Sequence, residues 1–156
     1  MIKIRDYQKA DYEATIRLMK QLVELYKITE FDEKNWEMTL RQRLFSPQQR
    51  TLIAEYEGKI AGMCFVDVKW NEIGFIIGNI KNIVVDENFR NRGISIKLLN
   101  EAIDILTAMA VDRIQINVNV EVQNVVPFFE KMGFKQEYIA MSRSVKKEKA
   151  NNKRKE

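Results

Sequence analysis

Several residue types that support common enzyme chemistry are scarce or absent in this sequence. Its 156 residues include no histidine and a single cysteine, Cys64. Without histidine the commonest metal ligand and general base are missing, and one cysteine can form neither an internal disulfide nor a thiolate cluster. We therefore expect no metal site and no histidine-based triad. Because Cys64 stands in an apolar stretch, we expect it to be a buried, small apolar side chain.

Glycine, proline and long apolar runs are also sparse. With 6 Gly and 2 Pro, the chain fits neither a collagen-like nor a low-complexity class, and a hydrophobic content of 46% is enough for one globular core. No apolar run approaches the roughly 18 residues that span a bilayer, and the first residues lack the core of a signal peptide. The sequence therefore predicts a cytoplasmic domain that does not associate with membranes.

Positive charge is concentrated near the C-terminal end. The net charge is +4, and residues 146–156 carry six basic and two acidic side chains, which leaves 20 of each sign in residues 1–145. Because phosphate recognition needs a basic patch on the fold itself, a neutral body does not favour nucleic-acid binding. We interpret 1–145 as the domain and 146–156 as a basic, disordered tail; anion binding by that tail is a distant alternative.

Hydrophobic periodicity predicts the first half of the domain. A short strand at Ile2 and Ile4 precedes a helix from Tyr12 to Tyr26, and Asp32 is placed to cap a second helix that ends before Pro47. Three apolar strands follow, and a turn at Glu57 and Gly58 joins the first two into an antiparallel hairpin. These strands are residues 51–56, 59–69 and 75–85.

The second half continues the alternation of strands and helices. A helix with apolar spacing starts at Gly93, and residues 113–120 alternate as a strand. Asn124 is placed to cap a short helix that ends near Gly133, and a last strand is predicted from Phe134 to about Val145. The expected α/β architecture is one mixed, mainly antiparallel sheet flanked by about four helices.

The loop between the third apolar strand and the next helix is the most informative segment. It reads Arg90, Asn91, Arg92, Gly93, Ile94, Ser95. Unpaired amides at a helix start attract anions, small residues let a ligand approach the backbone, and arginines add charge for a pyrophosphate. The pattern predicts a phosphate-binding loop, although an ordinary helix start with solvated arginines is the alternative.

With this loop in view, the chain resembles the GNAT superfamily of N-acetyltransferases. Arg90, Gly93 and Ser95 match its acyl-CoA signature of Arg or Gln, two residues, Gly, one residue, then Gly or Ala, with serine as a departure at the last position. Residues 128–134, which read FFEKMGF, are similar to its second signature. The resemblance covers roughly residues 1–145 and implies the acyl-CoA N-acyltransferase fold, whose sheet contains a central splayed strand pair.

The resemblance also implies a site for acetyl-CoA. The pantetheine arm would bond to the backbone of the central strand, the pyrophosphate would rest on the loop amides, and side chains near the last helix would lie along the pantetheine. Core packing remains an alternative for the strand residues and Phe128, as does helix capping for Asn124. The implied cofactor-binding residues are Ile83, Val84, Val85, Arg90, Asn91, Arg92, Gly93, Ile94, Ser95, Asn124 and Phe128.

The catalytic side chains implied by the resemblance stay open. Phe129 stands where the family often has a tyrosine that protonates the leaving thiolate. The alternatives are that the thiolate leaves as an anion, that water or a residue such as Tyr138 protonates it, or that the chain binds CoA without turning over well. The central strand also lacks the usual glutamate and offers Asn79, Lys81 and Asn82 instead. Three carboxylates could deprotonate an amine through water, but the preferred interpretation of each is an ordinary solvated charge. They are Asp67, Glu72 and Glu121.

The resemblance implies an acceptor with a primary amine, either a small molecule or a peptide. Five carboxylates between the first two helices could attract such a cation, although helix-dipole complementarity alone explains Asp32 and Glu33. The alternative function is an acyl-CoA-binding or regulatory module with little or no catalysis, and a homodimer is common in such folds. The five carboxylates are Glu24, Glu30, Asp32, Glu33 and Glu37.

Overall fold

Five strands form one sheet in their order along the chain. The computed structural model describes residues 1–145, so the predicted tail at 146–156 lies outside the described residues. The sheet order is β1-β2-β3-β4-β5. The elements are β1 (Ile2–Asp6), α1 (Tyr12–Leu25), α2 (Glu33–Leu44), β2 (Gln49–Tyr56), β3 (Lys59–Trp70), β4 (Ile76–Val85), α3 (Ile94–Ala108), β5 (Arg113–Ile116) and α4 (Val126–Lys131).

The strand pairing confirms a mixed, mainly antiparallel sheet. β1 to β4 pair antiparallel with their neighbours, and β5 runs parallel to β4. The predicted hairpin turn is present, because Glu57 and Gly58 both have positive φ, 50° and 80°, as a two-residue turn between twisted strands requires. In the described part of the chain, no helix combines the length and the apolar character that crossing a membrane requires.

The two faces of the sheet are covered by different helices. α1 and α2 contribute Leu18 and Leu40 to a buried cluster that also contains Phe65 of β3. α3 covers the opposite face, where a Cβ added at Gly78 would lie 2.7 Å from Leu106 Cδ2. Because strand side chains alternate between faces, β3 and β4 each contribute to both layers.

Two β-bulges lie at the same end of the sheet. The register between β2 and β3 shifts next to Glu55, and the register between β3 and β4 shifts between Met63 and Phe65. The second shift places an extra residue in β4 near Asn82, whose φ is 53°. Bulges bend a strand and increase its twist, so both strands coil strongly at this end. β5 does not follow them, because its ladder with β4 ends at the Ile80–Ile116 pair.

Three sequence predictions about the C-terminal part are wrong. β5 stops at Ile116 instead of reaching 120, because beyond that residue no ladder with β4 supports an extended backbone. Residues 134–145 form no regular secondary structure, since alternation of apolar side chains does not itself provide a partner strand. Asn124 lies inside a 3₁₀ segment, and the capping side chain is Asn119, which accepts a hydrogen bond from the Glu121 amide.

By internal contacts the chain divides after Val126. The unit that begins at Pro127 contains most of α4, which ends in a Schellman motif. The Phe134 amide donates to the Phe129 carbonyl oxygen at 3.1 Å, and the Gly133 amide donates to that of Glu130 at 3.0 Å. Gly133 has φ 97°, and the rings of Phe129 and Phe134 pack edge to face. The EKMGF sequence therefore has a local structural reason, which is to stop this helix near the predicted Gly133.

Candidate active site

Within residues 1–145, the C-terminal half of β4 has a neighbouring strand on one edge only. Its residues 81–85 pair with β3 but lie beyond the last pair with β5. The Asp86 amide donates to the Ala61 carbonyl oxygen at 2.8 Å. Because backbone groups alternate in direction along an antiparallel pair, those of Ile83 and Val85 point away from β3. These two predicted positions therefore direct backbone hydrogen-bonding groups toward the open edge.

The loop that follows β4 is anchored to α1 by Asp86. This carboxylate is 2% exposed, and it accepts hydrogen bonds from the Asn88 amide at 3.0 Å and from Arg17 Nε at 3.0 Å. Gln21 contacts the same carboxylate, and its side-chain oxygen accepts from the Glu87 amide at 2.9 Å. Burial raises the pKa of Asp86, but these hydrogen bonds bring it below its ordinary value. The loop is thus fixed to α1 by a buried negative charge.

The start of α3 presents backbone amides that have no hydrogen-bond partner among the residues that the structure describes. Gly93 occupies the N-cap position in the left-handed conformation, with φ 77°, and no side chain caps the helix. The first intrahelical bond runs from the Lys97 amide to the Gly93 carbonyl oxygen, so the amides of residues 94–96 precede the helical ladder. The first turn contains no acidic residue, and a Cβ at Gly93 would meet nothing within 4 Å. This helix start fits an anion from outside the chain.

The start of α2 differs from the start of α3, because a side chain of the protein caps it. Asp32 accepts a hydrogen bond from the Asn35 amide at 3.1 Å, as predicted, and Glu33 adds an acidic side chain to the first turn. Carboxylates of the protein therefore provide both a hydrogen-bond acceptor and negative charge at the start of α2. Glu33 also lies 3.0 Å from Lys20 Nζ, and Glu37 lies 2.7 Å from Arg41 Nη2. These three members of the predicted acceptor cluster have partners within the protein.

The two arginines of the loop have different local partners. Arg90 Nε points back to the Val85 carbonyl oxygen at 3.4 Å, at the edge of hydrogen-bond distance. Arg92 lies over an aromatic pair, with its guanidinium carbon 5.0 Å from the Tyr56 ring centroid and 5.9 Å from that of Phe89. Cation–π contacts of this kind help to hold the side chain and the loop.

A buried charged group lies where β3 and β4 meet the α2 side of the sheet. Asp67 Oδ1 is 2.6 Å from Arg43 Nη2, in an ion pair that lacks well-aligned hydrogen-bond geometry, and Oδ2 is 2.9 Å from Lys81 Nζ. Burial raises the pKa of Asp67, but the two cations bring it below its ordinary value. The interpretation of Asp67 as a solvated charge is therefore wrong, and its lowered pKa makes it a weak base.

The other candidate proton-transfer groups are placed in three different regions. Glu121 follows β5 and lies 3.2 Å from Lys27 Nζ at the end of α1. Glu72 is in the exposed loop before β4, so roughly 20 Å of strand separate it from Ile83. Tyr138 belongs to the C-terminal unit and is 66% exposed. Glu72 is therefore too distant to act at the open edge, whereas the other two stay hypotheses.

Three more residues that the sequence singled out are Asn124, Phe128 and Cys64. Asn124 is an exposed member of the 3₁₀ segment Val120–Val125. Phe128 is 41% exposed, and its ring packs against that of Phe129 with centroids 5.5 Å apart. Cys64 is fully buried, as expected, and burial raises the pKa of its thiol to about 12. Such a thiol holds its proton at neutral pH and is not a nucleophile.

Sequence reasoning missed the Arg43 and Asp67 pair and the anchoring role of Asp86. A usable signal existed for the pair. Arg43 continues the buried stripe of α2 at helical spacing after Trp36 and Leu40, and Asp67 interrupts an apolar strand. A charge on a buried face needs a partner of opposite sign, so the two could have been matched.

Comparison with known proteins gives a consistent result. The model of the acetyltransferase (GNAT) family matches residues 12–134. The chain is similar to the L-amino acid N-acetyltransferase AaaT of Escherichia coli strain K12, with 28% identity over 138 residues that cover 85% of this chain and 82% of that protein.

Solved structures share the fold at low sequence identity. A transcriptional regulator from Bacillus halodurans C-125 matches with a TM-score of 0.81 and 17% identity, over 92% of this chain and 99% of the other. AAC(6')-Iy in complex with a bisubstrate analog, CoA-S-monomethyl-acetylneamine, matches with a TM-score of 0.77 and 17% identity, over 92% and 98%. The open sheet with its flanking helices is therefore a fold that known proteins share.

Proposed function

Because this chain belongs to the acetyltransferase (GNAT) family, we propose that it transfers the acetyl group of acetyl-CoA directly to a primary amine of a small-molecule or peptide acceptor. One observation carries the proposal: an open strand edge leads within a few residues into a helix start without a cap. A strand edge can bind an extended arm through backbone groups, and a helix start can bind phosphate. Acetyl-CoA carries both of these chemical groups.

The residues present fit the cofactor. We assign the pantetheine arm to the backbone of Ile83 and Val85, with Val84 packed into the core between them. We assign the pyrophosphate to the amides of residues 90–95, where the open space at Gly93 and the left-handed backbone support close approach. The guanidinium groups of Arg90 and Arg92 add positive charge to this loop. Asn124 and Phe128 stay proposed contacts along the pantetheine.

Direct transfer is favoured over an acetylated-protein route. When bound, acetyl-CoA supplies the acetyl thioester. Cys64 is buried and its thiol pKa is raised to about 12, so it is unsuited to accept the acetyl group first. The contribution of the chain is to orient the acceptor amine and to donate backbone N–H groups of β4 where negative charge develops.

Proton transfer is assigned to exposed groups and water. Glu121 is the proposed carboxylate for accepting the amine proton through water, since the pKa of Asp67 is lowered by its two cations. Tyr138 or water is proposed to protonate the departing thiolate, because Phe129 cannot. A Glu121→Gln variant should lower kcat if the carboxylate is the base, and a Tyr138→Phe variant should lower kcat if the phenol is the acid, each with little change in acetyl-CoA affinity.

The proposal is tested by calorimetric titration of acetyl-CoA into matched glycine variants. Gly93 and Gly74 both have positive φ, 77° and 87°, and a Cβ at either meets nothing within 4 Å. Gly93→Asp and Gly74→Asp should therefore cause similar backbone strain. Only Gly93→Asp places a carboxylate at the α3 start, where it should weaken acetyl-CoA binding by about a hundredfold through like-charge repulsion.

Three results of these measurements would each contradict a different part of the proposal. Equal loss of affinity in both variants would mean that strain is responsible, and the loop would lose its role. Failure of the wild type to bind acetyl-CoA would overturn the proposed function. Binding without acetyl transfer to any amine of a broad panel would instead favour an acyl-CoA-binding or regulatory module over an enzyme.

A further inference from the structure

The charged group at the junction of β3 and β4 contains two cations and one anion. Arg43 and Lys81 both contact the carboxylate of Asp67, which is 9% exposed at its side chain. Burying unpaired charge is costly, so two cations on one carboxylate leave a positive charge that an external anion could balance. The group therefore carries a net positive charge, which favours an anion over an amine as its ligand.

Arg43 is held by several partners within the protein besides Asp67. It donates Nε–H to Thr51 Oγ1 at 3.0 Å and Nη2–H to the Arg50 carbonyl oxygen at 2.7 Å. Its guanidinium carbon lies 3.6 Å from the centroid of the Phe65 ring, and its side chain is only 5% exposed. Arg43 is therefore the structural counter-ion of Asp67. The surplus charge belongs to Lys81, whose side chain is 42% exposed.

Lys81 lies next to the place where the acetyl group would be transferred. It is the first residue of β4 beyond the Ile80–Ile116 pair, where the edge opens. Its cross-strand neighbour is Phe65, so its side chain shares the face covered by α1 and α2. The opposite face is filled by α3, since a Cβ at Gly78 would overlap Leu106. An acceptor therefore reaches the open edge from the face that carries Lys81.

We propose that Lys81, held in place by Asp67, binds a carboxylate of the acceptor, so that the preferred acceptors are amines with a carboxylate close to the amino group. The inference rests on the proposed function and adds the substrate class to it. The ammonium group offers three donors, one of which Asp67 occupies, and a charge-assisted bond to a carboxylate is among the stronger hydrogen bonds. This assignment replaces the carboxylate cluster between α1 and α2, three members of which have partners or cap a helix.

The test compares free L-amino acids with their carboxamides, which keep the amino group and lose the negative charge. Wild type should acetylate the acids with a higher kcat/KM than the amides. Lys81→Gln should lower kcat/KM for the acids by roughly tenfold to a hundredfold and leave the amides and the acetyl-CoA affinity unchanged. Lys81→Arg keeps the charge and should retain most of the preference. Lys69→Gln, a change of an exposed lysine on β3, is the matched control.

The experiment distinguishes a folding defect in Lys81→Gln from a loss of acceptor binding. Lys81→Gln leaves Asp67 paired with Arg43, so its thermal unfolding should stay close to that of the wild type. A wild type that acetylates amides as well as acids would overturn the inference and leave the proposed function intact, as would an unchanged preference in Lys81→Gln. Acetyl-CoA binding without transfer to either series would also overturn the inference. Absence of acetyl-CoA binding would overturn the proposed function itself.

Discussion

The two halves of β4 are neighbours in sequence and share β3 along one edge, but they differ in what lies along the other edge. Residues 77–80 have a strand on each edge, since β3 and β5 both pair with them, and Gly78 lies against Leu106 of α3. Residues 81–85 have a strand on one edge and continue into the anchored loop that begins at Asp86. The first half is enclosed within the sheet, and the second half has backbone groups directed toward an open edge. If the proposed site is correct, stability and binding are separated along one strand near the bulge at Asn82.

The largest effect is expected at the junction between the halves, where Asp67 pairs across from Asn79. Asp67→Ala leaves the buried Arg43 guanidinium without its counter-ion, so the free energy of unfolding should fall by about 3–5 kcal/mol. Urea denaturation measures this loss. Asp6→Ala, which removes the exposed partner of Arg50, should change the same quantity by less than about 1 kcal/mol. Equal losses in the two variants would contradict the buried role of Asp67.

A smaller effect on stability is expected in the first half of β4, which has a strand on each edge. Gly78→Ala adds a methyl group 2.7 Å from Leu106 Cδ2, and this leucine is fully buried. Overpacking should lower the free energy of unfolding by about 1–3 kcal/mol while acetyl-CoA affinity stays the same in the folded protein. Thermal denaturation and calorimetric titration measure the two quantities. A loss of affinity without a loss of stability would reverse the contrast between the halves.

A still smaller effect, on acetyl-CoA affinity, is expected in residues 81–85, the half of β4 with the open edge. Val85→Pro removes one N–H group that faces away from β3, so the sheet should tolerate it while acetyl-CoA binding weakens about three- to tenfold, the contribution of one hydrogen bond. Titration of the folded variant checks the affinity. A variant that fails to fold would show that the Val85 amide belongs to the sheet ladder instead.

The smallest effect is expected from protonation of Asp67 and Asp86, because a neutral carboxyl group can still accept hydrogen bonds. Burial raises the pKa of both, and their hydrogen bonds and ion pairs bring it below the ordinary value of 3.8. The unfolded chain therefore takes up these protons first as the pH falls. Their stabilisation is complete above pH 3.8 and is lost as the pH drops through the lower folded-state values. Unfolding free energies measured from pH 7 to pH 3 should be flatter for Asp67→Asn than for the wild type.

The sequence predicted those parts of the fold that depend on local chemistry. Asp32 caps α2, Glu57 and Gly58 form the hairpin turn, and the apolar stripe of α1 faces the core. In each case a few neighbouring residues determine the outcome. The same holds for the loop before α3, where Gly93 takes up a backbone conformation that favours glycine.

The features that escaped prediction depend on partners far along the chain. β5 alternates beyond Ile116, yet it ends there because its ladder with β4 stops at the Ile80–Ile116 pair. The bulge near Asn82 changes the phase of β4, so that Lys81 and Val84, three residues apart, pair with Phe65 and Met63 on the same face. A strict period of two cannot represent such a shift. The charge balance around Asp67 likewise required knowing that an α2 arginine reaches β3.

The open edge of β4 has a consequence for how copies of the chain meet one another. An unpaired strand edge is a template on which a second chain can add a strand, and this leads to aggregation. Lysine side chains and bulges are the devices by which natural sheets prevent such pairing, and residues 81–82 supply one of each. The residues that shape a binding edge for a small ligand therefore also make that edge a poor surface for self-association.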